Sequence, residues 1–332
     1  MASRTVQGEV VKLDRGYPLV RTEDGELLRC EHATNLVKSS KGSLGTAEGD
    51  GDVSGRAVIG DRVELAVPDD HDKAIIERIL PRERELVRKD PTERAVPQVL
   101  AANFDRIIIA QALHEVNMRR LERELVLACE TGADVTVVLT KADLAESEQQ
   151  VDAIREQVQA VAGPNTETLV VSDEDPASVE AVRELMPPGT TTVLIGRSGV
   201  GKSSLINLLC GEDVQLTGSV RETDGKGRHT TVSRDMVDVP GGGRVVDMPG
   251  VRGLGLWEAD AGIDAAFADI AELAEQCRFR DCKHEQEPGC AVRAAVEAGE
   301  IAPARFASYQ SLKQENKKVK QRREQARWKR KK

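Results

Sequence analysis

The chain has 332 residues, enough for two or three domains that each bury a core, and no run of 18 or more apolar residues suggests a membrane span. The N-terminal "MASRTVQGEV" lacks the apolar stretch of a signal peptide, so a soluble cytoplasmic protein is expected, with no membrane partner and a monomeric state. Formal charge is -9, but the last twenty residues hold eleven Lys or Arg against two Glu, a net of +9 that leaves -18 on the rest. An acidic body with a basic tail points to a polyanion met at one end. In chain order, five short β-branched, turn-bounded runs come first: Val6 to Leu13, Tyr17 to Thr22, Leu27 to Glu31, Asp61 to Val67 and Ala74 to Leu80. They predict a small barrel of the OB type over 1–82, interrupted near residue 50 by a Gly-, Ser- and Asp-rich loop. Tyr17 is the only aromatic before Phe104, so contacts to a phosphate backbone or to RNA shape fit this barrel better than base stacking.

From residue 84 to 253, nearly continuous apolar strands ("RIIIAQAL", "VTVVLT", "ETLVVS", "TTTVLIG", "GRVVDMPG") alternate with amphipathic helical stretches. This pattern predicts an α/β domain with a mainly parallel sheet covered on both faces. Between Arg221 and Asp235 the chain is polar, Gly-containing and aperiodic, and a loop is expected. Beyond it, 254–332 predicts a small helical domain: one helix through Ile263, Ala266, Phe267, Ile270 and Ala274, then a long helix that becomes steadily more basic.

The stretch "GRSGVGKSS" carries the first chemistry. Gly196, Gly201, Lys202 and Ser203 satisfy G-x-x-x-x-G-K-S between an apolar strand and a helix, the order a phosphate-gripping loop requires. Backbone N–H groups of Gly196, Arg197, Ser198, Gly199, Val200 and Gly201 can turn toward phosphates, Lys202 can reach the β- and γ-oxygens, and Ser203, followed by Ser204, can offer a hydroxyl to Mg²⁺. Asp247 ends a later strand in D-M-P-G and can hold the Mg²⁺ shell, while Gly250 can turn its N–H to a γ-phosphate. In the loop between, Thr230 or Thr231 can supply a switch hydroxyl. "TKAD" (Thr140, Lys141, Ala142, Asp143) follows a strand, where a carboxylate can accept the two N–H donors of guanine.

In the usual GTPase order, the guanine motif follows the phosphate loop; here it precedes it. Cutting the chain in one loop and rejoining the old termini preserves the pocket, because binding depends on which strand ends are neighbours. Cys277, Cys282, His284 and Cys290 offer three thiolates and an imidazole over fourteen residues, a closed tetrahedral set suited to one structural Zn²⁺; the other three cysteines stand apart.

With "TKADL", "GRSGVGKSSLIN", "GRHTT", "DMPG" and "CRFRDCKHEQEPGCAV" in this order, the chain resembles the circularly permuted ribosome small-subunit-dependent GTPase A family over nearly its whole length. The resemblance implies an N-terminal OB-fold, a permuted G domain and a C-terminal zinc domain. It also implies hydrolysis of GTP during late maturation of the 30S subunit, with the subunit and its rRNA as partners. Three positions depart from the expected pattern: Thr140 replaces Asn, Asp173 follows Ser172 in the fifth motif, and the barrel carries an acidic loop. Val251 stands where many GTPases carry a water-positioning Gln, and the resemblance implies that His229 is catalytic instead. A regulatory GTPase with a protein activator, a P-loop kinase and an RNA-binding checkpoint with little turnover are the alternative readings.

Overall fold

The computed structural model describes residues 3–14, 17–34, 36, 56–68, 72–90, 96–212, 214, 234–248 and 255–331. The N-terminal runs form β1 (Ser3–Asp14), β2 (Tyr17–Thr22), β3 (Leu27–His32), β4 (Arg62–Pro68) and β5 (Ala74–Ile79), all close to their expected bounds. Strand β1 pairs with both β2 and β4, β2 with β3, β3 in parallel with β5, and β5 with β4, so the ring closes. Alternation sends Val10, Val20, Cys30, Val63, Leu65 and Ile76 inward as one core. Closure leaves no free edge among these five strands.

A hairpin, β6 (Glu85–Lys89) with β7 (Pro97–Ala102), leads into the α/β region. Its strands are β8 (Arg106–Ala112), β9 (Asp134–Thr140), β10 (Glu167–Val170), β11 (Thr191–Ile195), β12 (Arg234–Asp238) and β13 (Arg244–Asp247). They lie in the order β10-β9-β8-β11-β13-β12, parallel except for the antiparallel β12–β13 pair. The crossovers carry α1 (Met118–Cys129), α2 (Glu148–Ala162), α3 (Pro176–Glu184) and α4 (Lys202–Cys210). Side-chain oxygens of Asn117, Ser147 and Asp175 cap the first three by accepting N–H groups of Arg120, Gln150 and Ala177. Strand β8, "RIIIAQA", is buried on both faces, as its unbroken apolar run requires.

Two local expectations change. Arg234 and Asp235, placed in the polar loop, begin β12, where they pair with Leu13 and Lys12 of β1 and join the barrel to the α/β sheet. The single helix expected after Gly253 is two, α5 (Asp260–Ala266) and α6 (Ala268–Ala274), separated at Phe267 with φ -120° and ψ 44°. Phe267 leaves helical geometry while its ring is fully buried edge-on against Tyr309, with centroids 5.6 Å apart. Helices α7 (Ala291–Ala298) and α8 (Pro303–Lys331) complete the C-terminal part.

This C-terminal part packs on α1. A Cβ on Gly262 of α5 would stand 2.1 Å from the Val126 carbonyl oxygen, so only glycine permits this approach. The Gly262 N–H donates to Glu130 at 2.5 Å, and Arg123 of α1 makes a two-pronged ion pair with Glu315 of α8 at 2.8 and 2.7 Å. Among the described residues, no helix is long and apolar enough to cross a membrane.

Candidate nucleotide and metal sites

The carboxyl ends of β9, β8, β11 and β13 open on one edge of the sheet, where ligands of open α/β folds bind. Strand β11 ends there in the glycine loop, and α4 begins at Lys202. Gly196, Gly199 and Gly201 have φ of 149°, 86° and 92°, values that L side chains rarely adopt. A Cβ on Gly196 would also meet the Ala110 carbonyl of β8 at 2.5 Å, so the loop starts pressed against its neighbouring strand. Lys202 is only 7% exposed, and its ammonium donates to the carbonyls of Gly196 and Arg197, both at 3.0 Å. The lysine therefore lies within the loop it is expected to serve. Arg197 points outward, 3.8 Å from Glu115; Ser198 is exposed, and Ser203 and Ser204 are half-buried on the first turn of α4.

Across β8, the T-K-A-D stretch reaches this loop directly. The Thr140 hydroxyl lies within hydrogen-bond distance of the Val200 carbonyl and 3.2 Å from that of Gln111. Lys141, in the left-handed region at φ 60°, donates from Nζ to the Gly199 carbonyl at 2.7 Å. Thr140, where Asn was expected, thus braces the loop by its hydroxyl. The following turn, Ala142–Leu144, sets Asp143 at a cavity of about 170 Å³ whose opposite wall is Ser204 and Leu208 of α4. Leu144 lines the cavity and is largely exposed.

Asp173 lines that cavity, and Ser172 does not. Ser172 folds the turn beneath it: its hydroxyl accepts the Glu174 N–H and its own N–H donates to Ser178 Oγ, both at 3.2 Å. The departure Asp173 therefore faces the pocket while the expected Ser172 shapes its wall. Asp247 ends β13 opposite Leu194 of β11, next to the loop and buried. His229, Thr230, Thr231 and Gly250 lie outside the described residues.

Glu124 is a buried charge that motif reading missed. It is fully buried on α1, where its carboxylate accepts Gln111 Nε2 at 2.5 Å and Arg120 Nε at 2.9 Å. Burial pushes its carboxyl up, while Arg120, Gln111 and the charge of Lys202 pull the other way. The Arg120–Glu124 spacing of four on a helix was its only sequence signal. Gln111 ties Glu124 to the strand end that supports Thr140, so a carboxylate stands behind both motifs.

A second cluster lies beyond α6. One ligand atom each from Cys277, Cys282, His284 and Cys290 falls within 4.8 Å of the others. Cys277 Sγ is 3.7 Å from His284 Nδ1 and 3.9 Å from Cys290 Sγ, and His284 Nδ1 is 3.3 Å from Cys290 Sγ. A tetrahedral ion with bonds of about 2.3 Å to sulfur and 2.0 Å to nitrogen spaces its ligands by roughly 3.5–3.8 Å, so the donors fit. His284 takes φ 58° to turn its ring inward, and Gln310 of α8 donates to its carbonyl at 3.4 Å. Burial lowers the pKa of His284, which favours the neutral imidazole that ligates. The four can hold a metal ion.

The family described as "RsgA GTPase" matches residues 79–257. A Small ribosomal subunit biogenesis GTPase RsgA from Streptomyces coelicolor is 40% identical over 319 residues, covering 96% of this chain and 82% of that protein. This chain belongs to the RsgA GTPase family. It is accordingly a GTP hydrolase that uses GTP and Mg²⁺. The Streptomyces avermitilis protein of the same name is 39% identical, covering 94% of this chain and 80% of its own length. Among solved structures, YjeQ from Thermotoga maritima superposes with a TM-score of 0.66 at 26% identity, over 94% of this chain and 99% of that one. YloQ, described as a circularly permuted GTPase, gives 0.61 at 23% identity, over 95% and 96%, and supports the fold. The fold is therefore a permuted GTPase domain with an N-terminal barrel, as the order of its motifs implies.

Proposed function

We propose that this GTPase acts on the small ribosomal subunit during its late maturation, in the cytoplasm, and hydrolyses GTP slowly until the subunit engages it. The bracing of the glycine loop by Thr140 and Lys141 supports this reading most, because it brings two motifs of inverted chain order together at one edge of the sheet. Asp143 accepts the base N–H donors, and Asp173 lines the same cavity. Loop N–H groups from Gly196 to Gly201 and the Lys202 ammonium hold the phosphates. Ser203, Asp247 and Thr230 or Thr231 would hold Mg²⁺, which supplies charge neutralisation on the phosphates. Gly250 donates to the γ-phosphate, and His229 orients the attacking water in place of Gln.

Without its own Gln the site needs ordering from outside. Activation in trans accelerates GTPases by about 10³ to 10⁵, or roughly 4–7 kcal/mol of barrier. The cysteine–histidine set would hold one structural Zn²⁺, since no ligand position is left open for catalysis. The division we adopt is barrel 1–82, permuted GTPase domain 84–253, and zinc-bearing helical domain with basic tail 254–332.

Asp143→Asn tests the base assignment. Its amide presents a donor where guanine has donors and xanthine has a carbonyl, so preference should move from guanine to xanthine nucleotides. Loss of affinity for both bases alike would reject the assignment.

A further inference from the structure

The barrel has one aromatic side chain, and it is not in the barrel core. Phe279 and Trp328 are exposed in the C-terminal part and Phe104, Phe267 and Tyr309 are buried, whereas Tyr17, at the start of β2, is 36% exposed on the barrel. Two cations attend this one. The Lys73 ammonium lies 4.3 Å from the ring centroid and the Arg29 guanidinium 5.0 Å from it.

The three residues come from separate elements. Arg29 sits on β3 opposite Leu19 of β2, and Lys73 immediately precedes β5. The face of strands two and three, bordered by the loops before strands two and five, is where OB-folds take up oligonucleotides. Lys73 also pairs with Glu31, but Arg29 is paired to no carboxylate among the described residues, which leaves its charge for an anion. A surface cation on an aromatic ring is worth only about 0.5–1 kcal/mol, so a stacked base and its phosphates can displace it.

We propose that Tyr17, Arg29 and Lys73 form a stacking site for one unpaired base of single-stranded RNA, with the ring against the base and the two cations on the flanking phosphates. The site deepens, and rests on, the small-subunit reading. It also adds base stacking to the backbone and shape contacts expected of the barrel, because a single ring suffices where cations position the strand.

The test uses the full chain, a labelled unstructured ten-nucleotide RNA and a duplex of the same length, at fixed salt. Tyr17→Ala should weaken single-strand binding by about tenfold, Tyr17→Phe should stay within about twofold of the parent, and neither should change duplex binding. GTP hydrolysis by the free chain should be the same in all three. Three results would overturn the proposal: alanine binding the single strand as tightly as tyrosine, phenylalanine losing as much as alanine, or the parent chain not binding the single strand. Weakened 30S binding by Tyr17→Ala without an oligonucleotide effect would assign the ring to a protein surface and equally overturn it. A parent chain that binds the oligonucleotide yet ignores 30S subunits would instead count against the small-subunit reading.

Discussion

Gly196 and Gly199 separate two costs that a glycine loop can carry. Both have positive φ, but a Cβ would strike the Ala110 carbonyl at Gly196 and meet nothing within 4 Å at Gly199. Gly199→Ala should therefore add only backbone strain, about 1 kcal/mol, while Gly196→Ala must also move the loop off β8. Titration with a fluorescent GDP analogue should find Gly196→Ala at least about tenfold weaker than Gly199→Ala; equal losses would mean that the contact with β8 is unimportant. At this scale the strand–glycine loop–helix order and the T-K-A-D turn after a strand were legible, because apolar runs and glycines mark them. Asp173 and Glu124 were not, since a carboxylate beside a cavity and one buried on a helix look alike in a string of letters. Only packing shows that Glu124 lies behind Gln111 and that Asp173 rather than Ser172 lines the cavity beside Asp143.

The joint between α1 and α8 makes stability depend on acid. Burial would push the Glu315 carboxyl up, but the Arg123 guanidinium, with the Leu256 N–H, holds it below the ordinary carboxylate range. A carboxyl lowered in the folded state stabilises above its unfolded pKa, about 4.3 for Glu, and loses that contribution as pH falls through the folded value. Urea unfolding of the parent and of Glu315→Gln should differ most near neutrality, with the gap closing below about pH 4. A gap that does not change with pH would place the effect in packing. Among elements, the barrel strands were legible from alternation and turn residues, and α8 from its length. The break at Phe267 was not, because apolar spacing continues across it while the backbone turns to seat the ring against Tyr309. Nor was the β1–β12 pairing, which joins residues more than two hundred positions apart where local composition reads as loop.

At the scale of the molecule, permutation has a mechanical result. Strands β13 and β12 extend the sheet from β11, which ends in the glycine loop, and the barrel is bonded to both: Lys12 to Asp235 at 3.0 Å, Arg21 to Asp238 at 2.8 Å, and Glu9 to Arg244. The cysteine–histidine cluster follows β13 in the chain, while α5 and α8 hold α1, which carries Glu124. A partner touching either end thus meets structure continuous with the pocket. The order of motifs made the permutation legible; these seams required coordinates. The most direct measurement is phosphate release from GTP and from ATP, each with and without purified 30S subunits. Slow GTP turnover that rises by orders of magnitude with the subunit, beside flat ATP turnover, is the predicted result. GTP turnover that ignores the subunit, or ATP hydrolysed as readily as GTP, would contradict it.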